Sequence, residues 1–339
     1  MEEKKCEDSM SLKEEKKSED DQFHELYVKL PKKRLKSRLF AQYRGFWFEE
    51  QVLRGILAFR QHFEAQDSDI VVATMPKAGT TWLKALTFAI ANRHKFPISE
   101  SPLLSKNPHQ LVLFLELNLY EKGKIPDPNS LNVAGGQRRI FGTHLAYQCL
   151  PDTVLDTSDC RILYLCRNPL DVFTSYVHFF YQNGAFPDLA EKSWEENFDA
   201  FCEGTNQYGP FWDHIKGYKE ASLKNPNKVL FLHYEELKKD TKSCVKKMAE
   251  FLGCPFSPQE EDERVVEGII KLCSLENLKN LECNKHGEIG MYNVKFSSLF
   301  RKGEVGDWAN FLTPSMAERL ESLMKEKFGE SGFNLNIDP

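Results

Sequence analysis

The sequence contains no apolar run of the length that a membrane span requires, which is about 20 residues. The best candidate, 111-LVLFLELNL-119, is much shorter and carries Glu116. The first 21 residues hold fourteen charged side chains and no apolar core, so a secretory signal peptide is not expected there. These absences predict a cytoplasmic protein that does not act with a membrane.

The sequence also lacks CxxC spacing and an excess of positive charge. The chain has nine cysteines, an odd number that cannot all pair within it, and disulfides are rare in cytosolic proteins. Reduced thiols are therefore expected. The formal net charge of -5 at pH 7 argues against general affinity for nucleic acid or an anionic membrane. It leaves room for a local basic pocket.

What the sequence does contain is a regular alternation of apolar strands with helical patterns. The strands are 69–75, 161–166 and 228–234, and the helical patterns that follow them lie near 80–93, 169–182 and 235–252. This alternation is typical of parallel βαβ units with helices on both faces of the sheet. No Gly/Ser or Pro linker divides the chain. We therefore predict a single-domain α/β fold, residues 22–339, with a central parallel β-sheet flanked by helices.

Four segments lie outside this alternation. Residues 1–21 are predicted to form a disordered charged tail, because they have little to bury. Residues 44–63 carry apolar positions at helical spacing, and a final helix is expected at about 314–328. Residues 284–308 are polar, rich in glycine and poorly periodic, which predicts a long loop of the kind that is commonly functional or mobile.

The stretch 74-TMPKAGTTWLKALTFAI-90, which joins the first strand to its helix, has the composition of an anion site. Such a loop places unpaired backbone N–H groups at the positive end of the helix dipole. Gly79 permits close approach, Lys77 adds a charge, and Thr80 and Thr81 supply hydroxyl donors. The loop is P-loop-like without the Walker spacing, because Lys77 precedes Gly79, so an ordinary NTPase is disfavoured. A structural turn is the alternative.

Three motifs give this loop a context. PKAGTTW, 167-RNPLDVFTSYVHF-179 and 301-RKGEVGDW-308 resemble the PKSGTTW, RNPKD…SYYHF and RKGxxGDW motifs of the soluble (cytosolic) sulfotransferases, in the same order. The flanking YRGFWF, HFEAQDSDI and NPHQLV are similar to the plant branch of that family. The resemblance covers the chain from about residue 43 onward. It implies that the loop holds the 5′-phosphosulfate of 3′-phosphoadenylyl sulfate (PAPS), and it implies no metal.

The resemblance also implies roles for individual residues. His144, in 141-FGTHL-145, would be the general base, and Lys77 would stabilise charge on the bridging oxygen as the sulfuryl group departs. The phosphosulfate and adenine would be bound by Lys77, Ala78, Gly79, Thr80, Thr81 and Trp82. The sugar 3′-phosphate would be bound by Arg167, Ser175, Arg301, Lys302 and Gly303. Tyr234 and Ser274 match nucleotide-contacting positions more loosely. Taken without the family, Trp82 fits helix packing as well as a purine platform.

Three positions depart from the family pattern. Ala78 stands where the motif has serine, which removes one hydroxyl and leaves the backbone donors. Leu275 stands where an aromatic often lies across the adenine from the tryptophan, so weaker cofactor binding is expected. Gly142 stands where animal members have a lysine, two residues before the histidine, and this departure is expected to place more of the transition-state charge on Lys77.

The acceptor is predicted to be a small hydroxylated molecule that enters an aromatic pocket. The resemblance implies that the pocket is lined by segments around 46–48 and at 105–120, 144–149, 178–184 and 284–300. Their aromatic residues are Trp47, Phe114, Tyr120, Tyr147, Phe179, Phe180, Tyr181 and Tyr292, each of which could equally pack in the core. Such a lining suits a flat or fused-ring phenol or alcohol. The runs CSLENL, GEVGDW and LTPSM favour a flavonoid over a brassinosteroid, hydroxyjasmonate or desulfoglucosinolate.

Two other functions are weighed against an active sulfotransferase. A nucleotide-binding sensor that has lost its chemistry would be expected to lose either Lys77 or His144, and both are present. A P-loop kinase would need the Walker spacing and a clear magnesium carboxylate. The oligomeric state is left open as a monomer or a weak homodimer.

Overall fold

The computed structural model describes residues 18–35, 38–132, 135–157, 159–183 and 193–329, except that the side chains of 180–183 are not described. Most of the predicted charged tail, residues 1–17, therefore lies outside the described residues. From Glu19 onward the chain is helical, so the last three positions of that predicted tail belong to the first helix. Ser18 caps this helix by accepting a hydrogen bond from the backbone N–H of Asp21.

The strands and helices alternate through most of the chain. The strands are β1 Lys32–Leu35, β2 Arg38–Tyr43, β3 Phe46–Glu49, β4 Ile70–Thr74, β5 Ile140–Thr143, β6 Arg161–Cys166, β7 Val229–His233, β8 Glu288–Ile289 and β9 Val294–Lys295. The helices are α1 Glu19–Lys29, α2 Glu50–His62, α3 Thr80–Asn92, α4 Pro108–Leu111, α5 Asp152–Asp156, α6 Pro169–Asn183, α7 Trp194–Cys202, α8 Phe211–Lys224, α9 Tyr234–Lys239, α10 Thr241–Phe251, α11 Pro258–Asp262, α12 Val265–Leu272, α13 Leu275–Asn280, α14 Glu282–Lys285 and α15 Pro314–Phe328. Among these described helices, none is both long and apolar enough to cross a bilayer.

The central sheet is parallel, with strand order β5-β4-β6-β7. Its register pairs Ala73 with Thr143 and Thr74 with Leu165, and it pairs Cys166 with His233. The four strands therefore end at nearly the same level, and the segments that follow them meet at one edge. In open α/β sheets this carboxyl edge is where ligands bind.

Apolar side chains cover both faces of this sheet, as the near-continuous apolar strands predict. On β4, Val71 and Ala73 belong to one buried cluster, whereas Ile70 and Val72 belong to a second cluster on the other face. The first cluster receives α2, α6 and α8, and the second receives α3, α10 and α12. The predicted α/β fold in one domain is confirmed.

Two of the predicted helices are wrong in their extent. Residues 46–49 form a strand that pairs with β2, because Phe46 and Phe48 are buried while Trp47 and Glu49 lie half exposed, which is a two-residue period. The helix begins only at Glu50. The predicted helix over 235–252 is broken at Asp240, whose side chain accepts from the N–H of Ser243, 3.0 Å away, and starts α10.

The predicted long loop, residues 284–308, contains the short hairpin β8–β9 and a turn of 3-10 helix, Phe296–Leu299, and it ends in the first residues of another, Asp307–Asn310. The eight cysteines in the described part of the chain are free thiols, as expected.

Candidate active site

A cavity of about 380 Å³ opens at the carboxyl edge of the central sheet. Most of the residues assigned to the site from the sequence line this cavity: Lys77, Gly79, Thr80, Thr81, Trp82, His144, Arg167, Ser175, Tyr234, Ser274, Arg301 and Gly303. Ala78 does not, because its buried side chain faces a smaller cavity beneath the loop. Lys302 is exposed and does not line the cavity either.

The loop between β4 and α3 is held in an unusual backbone conformation. Lys77 has a φ of 70° and Gly79 a φ of 107°, and only glycine adopts the left-handed region without cost. A Cβ at Gly79 would lie 2.8 Å from the Tyr234 ring and 2.9 Å from Leu165, so the loop also needs glycine for space. Gly79 is the N-cap of α3 and makes no side-chain cap. The first N–H groups of α3 therefore face the cavity as anion donors.

Lys77 is held in a positively charged, poorly hydrated position. Its ammonium nitrogen lies 3.9 Å from the centre of the Phe179 ring. Burial, as the larger cause, and the charges of Arg167 and Arg301 together lower the pKa of Lys77 to about 7. An anion bound here would relieve this repulsion.

His144 follows β5 and has a defined tautomer. Its Nδ1 lies 2.8 Å from the carbonyl oxygen of Thr74, which can only accept, so Nδ1 carries the proton and Nε2 keeps a lone pair. Burial is the main cause that lowers the pKa of His144, the Thr74 carbonyl opposes it, and the charges of Lys84, His214 and Lys77 add to it, with a net pKa of about 3. The ring is therefore neutral, which is the state a general base requires.

The backbone around His144 is fixed by buried polar groups. The Glu116 carboxylate accepts from the His144 N–H at 2.8 Å and from the Thr143 hydroxyl at 3.0 Å. Nε2 of His214 donates to the His144 carbonyl at 2.9 Å. Glu116 lies in a turn of π-helix, Leu115–Leu119, and burial raises its pKa. These contacts set the position of the imidazole against the end of β4.

Arg167 and Arg301 contribute donors that have no partner. Each has a fully buried Nε without a hydrogen-bond acceptor among the described residues. The other groups of Arg167 are engaged: Nη2 donates to the Glu304 carbonyl at 2.7 Å and pairs with Asp171 at 3.4 Å. Unpaired buried guanidinium donors are rare, and two beside one cavity indicate a site for a multiply charged anion such as phosphate.

Two aspartates dock the long loop onto this site. Asp171 accepts from the backbone N–H of Gly306 at 3.0 Å and of Trp308 at 3.1 Å. Asp307 pairs with Arg301 and with Lys302, whose Nζ lies 2.7 Å from its Oδ1. Burial by itself raises the pKa of Asp307, but the hydrogen bonds from Lys302 and Arg301 outweigh this effect and lower the pKa to about 2. The Lys302 ammonium therefore pairs within the long loop.

Two aromatic rings, from the starts of α3 and α9, form one wall of the cavity. Trp82 meets Tyr234 edge to face, with ring centres 5.6 Å apart. The Tyr234 hydroxyl donates to the Gly303 carbonyl at 2.9 Å and so ties the start of α9 to the long loop. Leu275 lines the same region, and its Cδ2 lies 2.7 Å from the point that a Cβ at Gly303 would occupy. A planar ring system fits against such a wall.

The remaining part of the cavity is mostly apolar, and the sequence identified its lining only in part. Phe114, Phe179 and Tyr292 line it as predicted, whereas Trp47, Tyr120 and Tyr147 do not. Tyr120 packs against Phe59 and Phe63 in the core, and Tyr147 packs against Tyr218. The side chains of Phe180 and Tyr181 lie outside the described part. His109, Leu117 and Met291 also line the cavity and lie in the predicted segments, whereas Phe40, Tyr176 and Tyr208 line it from outside them.

Within the predicted segment 105–120, His109 lies in a recognisable local motif. The motif 107-NPHQ-110 is a capping box, in which Asn107 accepts from the His109 N–H at 2.9 Å and Gln110 accepts from the Asn107 N–H at 3.0 Å. The box predicts the start of a helix, but nothing in it shows that the histidine contacts Thr81 and Lys84 of α3.

Comparison with known proteins agrees with the sequence motifs. Residues 67–332 match the sulfotransferase domain family. The chain is 43% identical to Cytosolic sulfotransferase 15 of Arabidopsis thaliana, over 95% of this chain and 90% of that protein. A solved Arabidopsis thaliana structure, of a proposed steroid sulphotransferase, is 39% identical with a TM-score of 0.70, covering 94% of this chain and 97% of that one. A mouse sulfotransferase in complex with PAP, the desulfated donor, is 28% identical with a TM-score of 0.65, covering 86% and 95%.

The family match covers most of the chain, and the plant relative is similar over nearly its whole length. The predicted family is confirmed. The chain belongs to the sulfotransferase family, in its branch of plant cytosolic sulfotransferases.

Proposed function

We propose that this sulfotransferase moves the sulfuryl group of PAPS to a hydroxyl of a small plant metabolite, with His144 as the base and a flavonoid as the favoured acceptor class. The observation that carries the proposal is the tautomer of His144. Its Nδ1 proton is bound by the Thr74 carbonyl, so its Nε2 lone pair is left for an acceptor hydroxyl in the cavity. A neutral, oriented imidazole is what proton removal from a hydroxyl requires.

The proposed reaction is a single displacement at sulfur. Nε2 of His144 takes the hydroxyl proton while the acceptor oxygen forms its bond to sulfur. The bond between sulfur and the bridging oxygen breaks, and its electron pair remains on the 5′-phosphate of PAP. Lys77 stabilises this charge, together with the first N–H groups of α3, in a site where burial strengthens electrostatic contacts.

The donor nucleotide fits the polar half of the cavity. The unpaired Nε atoms of Arg167 and Arg301 suit the 3′-phosphate, which distinguishes PAPS from simpler adenylates. Ser175 and Gly303 line the same cavity, and Trp82 supplies a ring for the adenine. The mouse relative whose structure holds PAP supports this assignment by similarity.

The acceptor half of the cavity supports a flat phenol. Its lining is dominated by rings, which favour planar ligands that stack or meet them edge to face. These rings belong to Phe40, Phe114, Tyr176, Phe179, Tyr208 and Tyr292. A steroid, such as a brassinosteroid, is the second candidate, because the similar Arabidopsis thaliana structure is of a proposed steroid sulphotransferase.

The test uses radiolabelled PAPS with one flavonoid, one brassinosteroid, one hydroxyjasmonate and one desulfoglucosinolate. Transfer of label to the flavonoid is expected, and the His144→Ala variant should transfer none. Transfer only to the brassinosteroid would replace the favoured acceptor and leave the reaction intact. Tight binding of PAP without transfer to any of the four would contradict the proposal and favour a nucleotide sensor.

A further inference from the structure

The buried side chains of Lys84 and His109 form a chain of hydrogen bonds that ends at the Thr81 hydroxyl, and these three side chains are called the row below. Neither Lys84 nor His109 has a role in the reaction described above. Nζ of Lys84 lies 3.3 Å from Nδ1 of His109, and Nε2 of His109 lies 2.9 Å from the Thr81 hydroxyl oxygen. Lys84 is fully buried and His109 is 4% exposed. We propose that Lys84 and His109 are positioning residues that orient the Thr81 hydroxyl as a hydrogen-bond donor to the transferring sulfuryl group.

This inference rests on the proposed function. The direction of the hydrogen bonds in the row follows from the three partners of the Lys84 amino group. The carbonyl of Val112, 2.8 Å from Nζ, can only accept. The face of the Phe114 ring, 3.2 Å from Nζ, also attracts N–H groups and cations. The third partner is Nδ1 of His109. An ammonium with three N–H groups satisfies all three at once.

The direction of the remaining bonds follows from this arrangement. When Lys84 donates to Nδ1, that atom carries no proton, so Nε2 of His109 is the protonated nitrogen. Nε2–H then donates to the Thr81 oxygen. The hydroxyl hydrogen of Thr81 is left to point into the cavity that Thr81 lines, where the negatively charged donor group binds. A neutral Lys84 could instead accept from Nδ1–H, which would reverse the row and turn a lone pair of Thr81 toward the anion.

The charges around the row decide between these two directions. Burial lowers the pKa of Lys84 well below its usual range, and the Glu116 carboxylate opposes that shift. Burial and the charges of Lys84, His144 and Lys77 lower the pKa of His109, so its ring is neutral. An anion in the cavity adds a second negative charge on the far side of the row. It therefore favours the charged lysine and the donating hydroxyl.

Gly142 provides the space in which the Lys84 amino group lies. A Cβ at position 142 would lie 2.5 Å from Cε and 2.7 Å from Nζ of Lys84. The N–H of Gly142 also donates to the carbonyl of Leu113 at 2.8 Å, which brings the segment before Phe114 alongside β5. A second amino group, that of Lys84, therefore stands directly beside the glycine that replaces the lysine of animal members.

Stability alone does not account for Lys84. Burying an ammonium costs free energy even when it is paired, and an apolar side chain of similar length would fill the same space without that cost. A methionine at position 84 is therefore expected to fold at least as well, and a loss of activity in that variant would come from the row and not from unfolding.

The first experiment compares kcat and KM for PAPS in Lys84→Met, Thr81→Val and the double variant. Each single change should lower kcat by about tenfold, the size of one charge-assisted hydrogen bond, with a smaller change in KM. The double variant should be no worse than Thr81→Val, because Lys84 acts through that hydroxyl. Multiplying losses in the double variant would overturn the proposal.

Two histidine variants and one control lysine sharpen this test. In His109→Gln the amide nitrogen reaches the Thr81 position, whereas in His109→Asn the side chain is too short, so the Gln variant should keep more of kcat. Equal losses would count against the row. Lys228, buried at the start of β7 with its Nζ donating to the Thr157 carbonyl, provides the matched control. Lys228→Met should leave kcat unchanged.

A measurement that does not depend on catalytic turnover tests this inference separately from the proposed function. The 15N chemical shifts of His109 in the PAP complex report which ring nitrogen carries the proton. Protonation at Nε2 is expected in the native chain and its loss in Lys84→Met; protonation at Nδ1 in the native complex would overturn the proposal. If no acceptor is sulfated, the proposed function fails, while this measurement still decides the direction of the row.

Discussion

The Nδ1 atom of His144 lies 2.8 Å from the carbonyl oxygen of Thr74, the last residue of the neighbouring strand β4. This contact joins the histidine at the end of β5 directly to the strand that leads into the anion loop. The Thr74 hydroxyl continues the connection, since it lies 2.6 Å from the Thr80 hydroxyl at the start of α3. The base and the donor loop are therefore held by the same strand end.

Replacing His144 with alanine should abolish turnover and leave PAP binding nearly intact. General-base catalysis contributes about 10²–10⁴-fold to a rate, so kcat should fall by at least about a hundredfold. Steady-state kinetics with the best acceptor and titration calorimetry with PAP measure the two effects separately. A variant with normal turnover would remove His144 from the base role.

Replacing Arg167 with alanine should weaken PAP binding by about tenfold or more, because the change removes a charge-assisted contact. The matched ligand is adenosine 5′-phosphate, which lacks the 3′-phosphate and should lose much less affinity. Calorimetry on both ligands gives the comparison. Equal losses for the two nucleotides would place Arg167 away from the 3′-phosphate and assign its effect to the loop contacts with Glu304 and Asp171.

The affinity for PAP should fall as the pH rises above 7, because burial and the neighbouring arginines lower the pKa of Lys77 in the free protein to about 7. A bound phosphate favours the ammonium and raises that pKa, so binding between pH 7 and the higher bound-state pKa takes up a proton. Below pH 7 Lys77 is already charged and contributes no pH dependence. The 5′-phosphate loses its own second proton near pH 6, below this window.

Calorimetry at pH 8 in buffers of different ionisation enthalpy measures the proton uptake. The Lys77→Met variant serves as the control and should bind PAP more weakly and with less uptake, since any proton that still binds goes to Lys84, whose pKa burial also lowers. Uptake that is undiminished in Lys77→Met would mean that Lys77 does not titrate on binding.

The strands and the anion loop could be predicted because their signals are local. Residues 161–166 form a strand within the predicted bounds, and Thr80 begins a helix where the loop composition places one. An apolar run between turn residues, followed by glycine and hydroxyl residues, is decided by neighbours along the chain. The parallel register then brings the predicted His144 and Arg167 to one edge without further information.

The row behind Thr81 could not be predicted, because its members come from separate segments. Lys84 lies on a helix in which its neighbours are apolar, where a lysine is expected to be exposed, yet it is fully buried. What makes this burial tolerable is the space at Gly142 and the acceptors at His109 and Val112. None of these is near Lys84 in sequence. For the same reason the acceptor cavity was only partly identified, since Tyr176 and Tyr208 look like ordinary core aromatics.

Replacing Gly142 with alanine should destabilise the protein through Lys84. The new Cβ would stand 2.5 Å from Cε of Lys84 and 3.2 Å from the Phe114 ring, so the lysine must give up its bonds or the strand must shift. Overpacking of this kind costs about 1–3 kcal/mol in the free energy of unfolding. In a Lys84→Ala background the same change should cost much less, because the colliding atoms are gone. Urea unfolding of the four chains gives the coupling energy, and a cost of Gly142→Ala that is equal in both backgrounds would show that Lys84 does not fill this space.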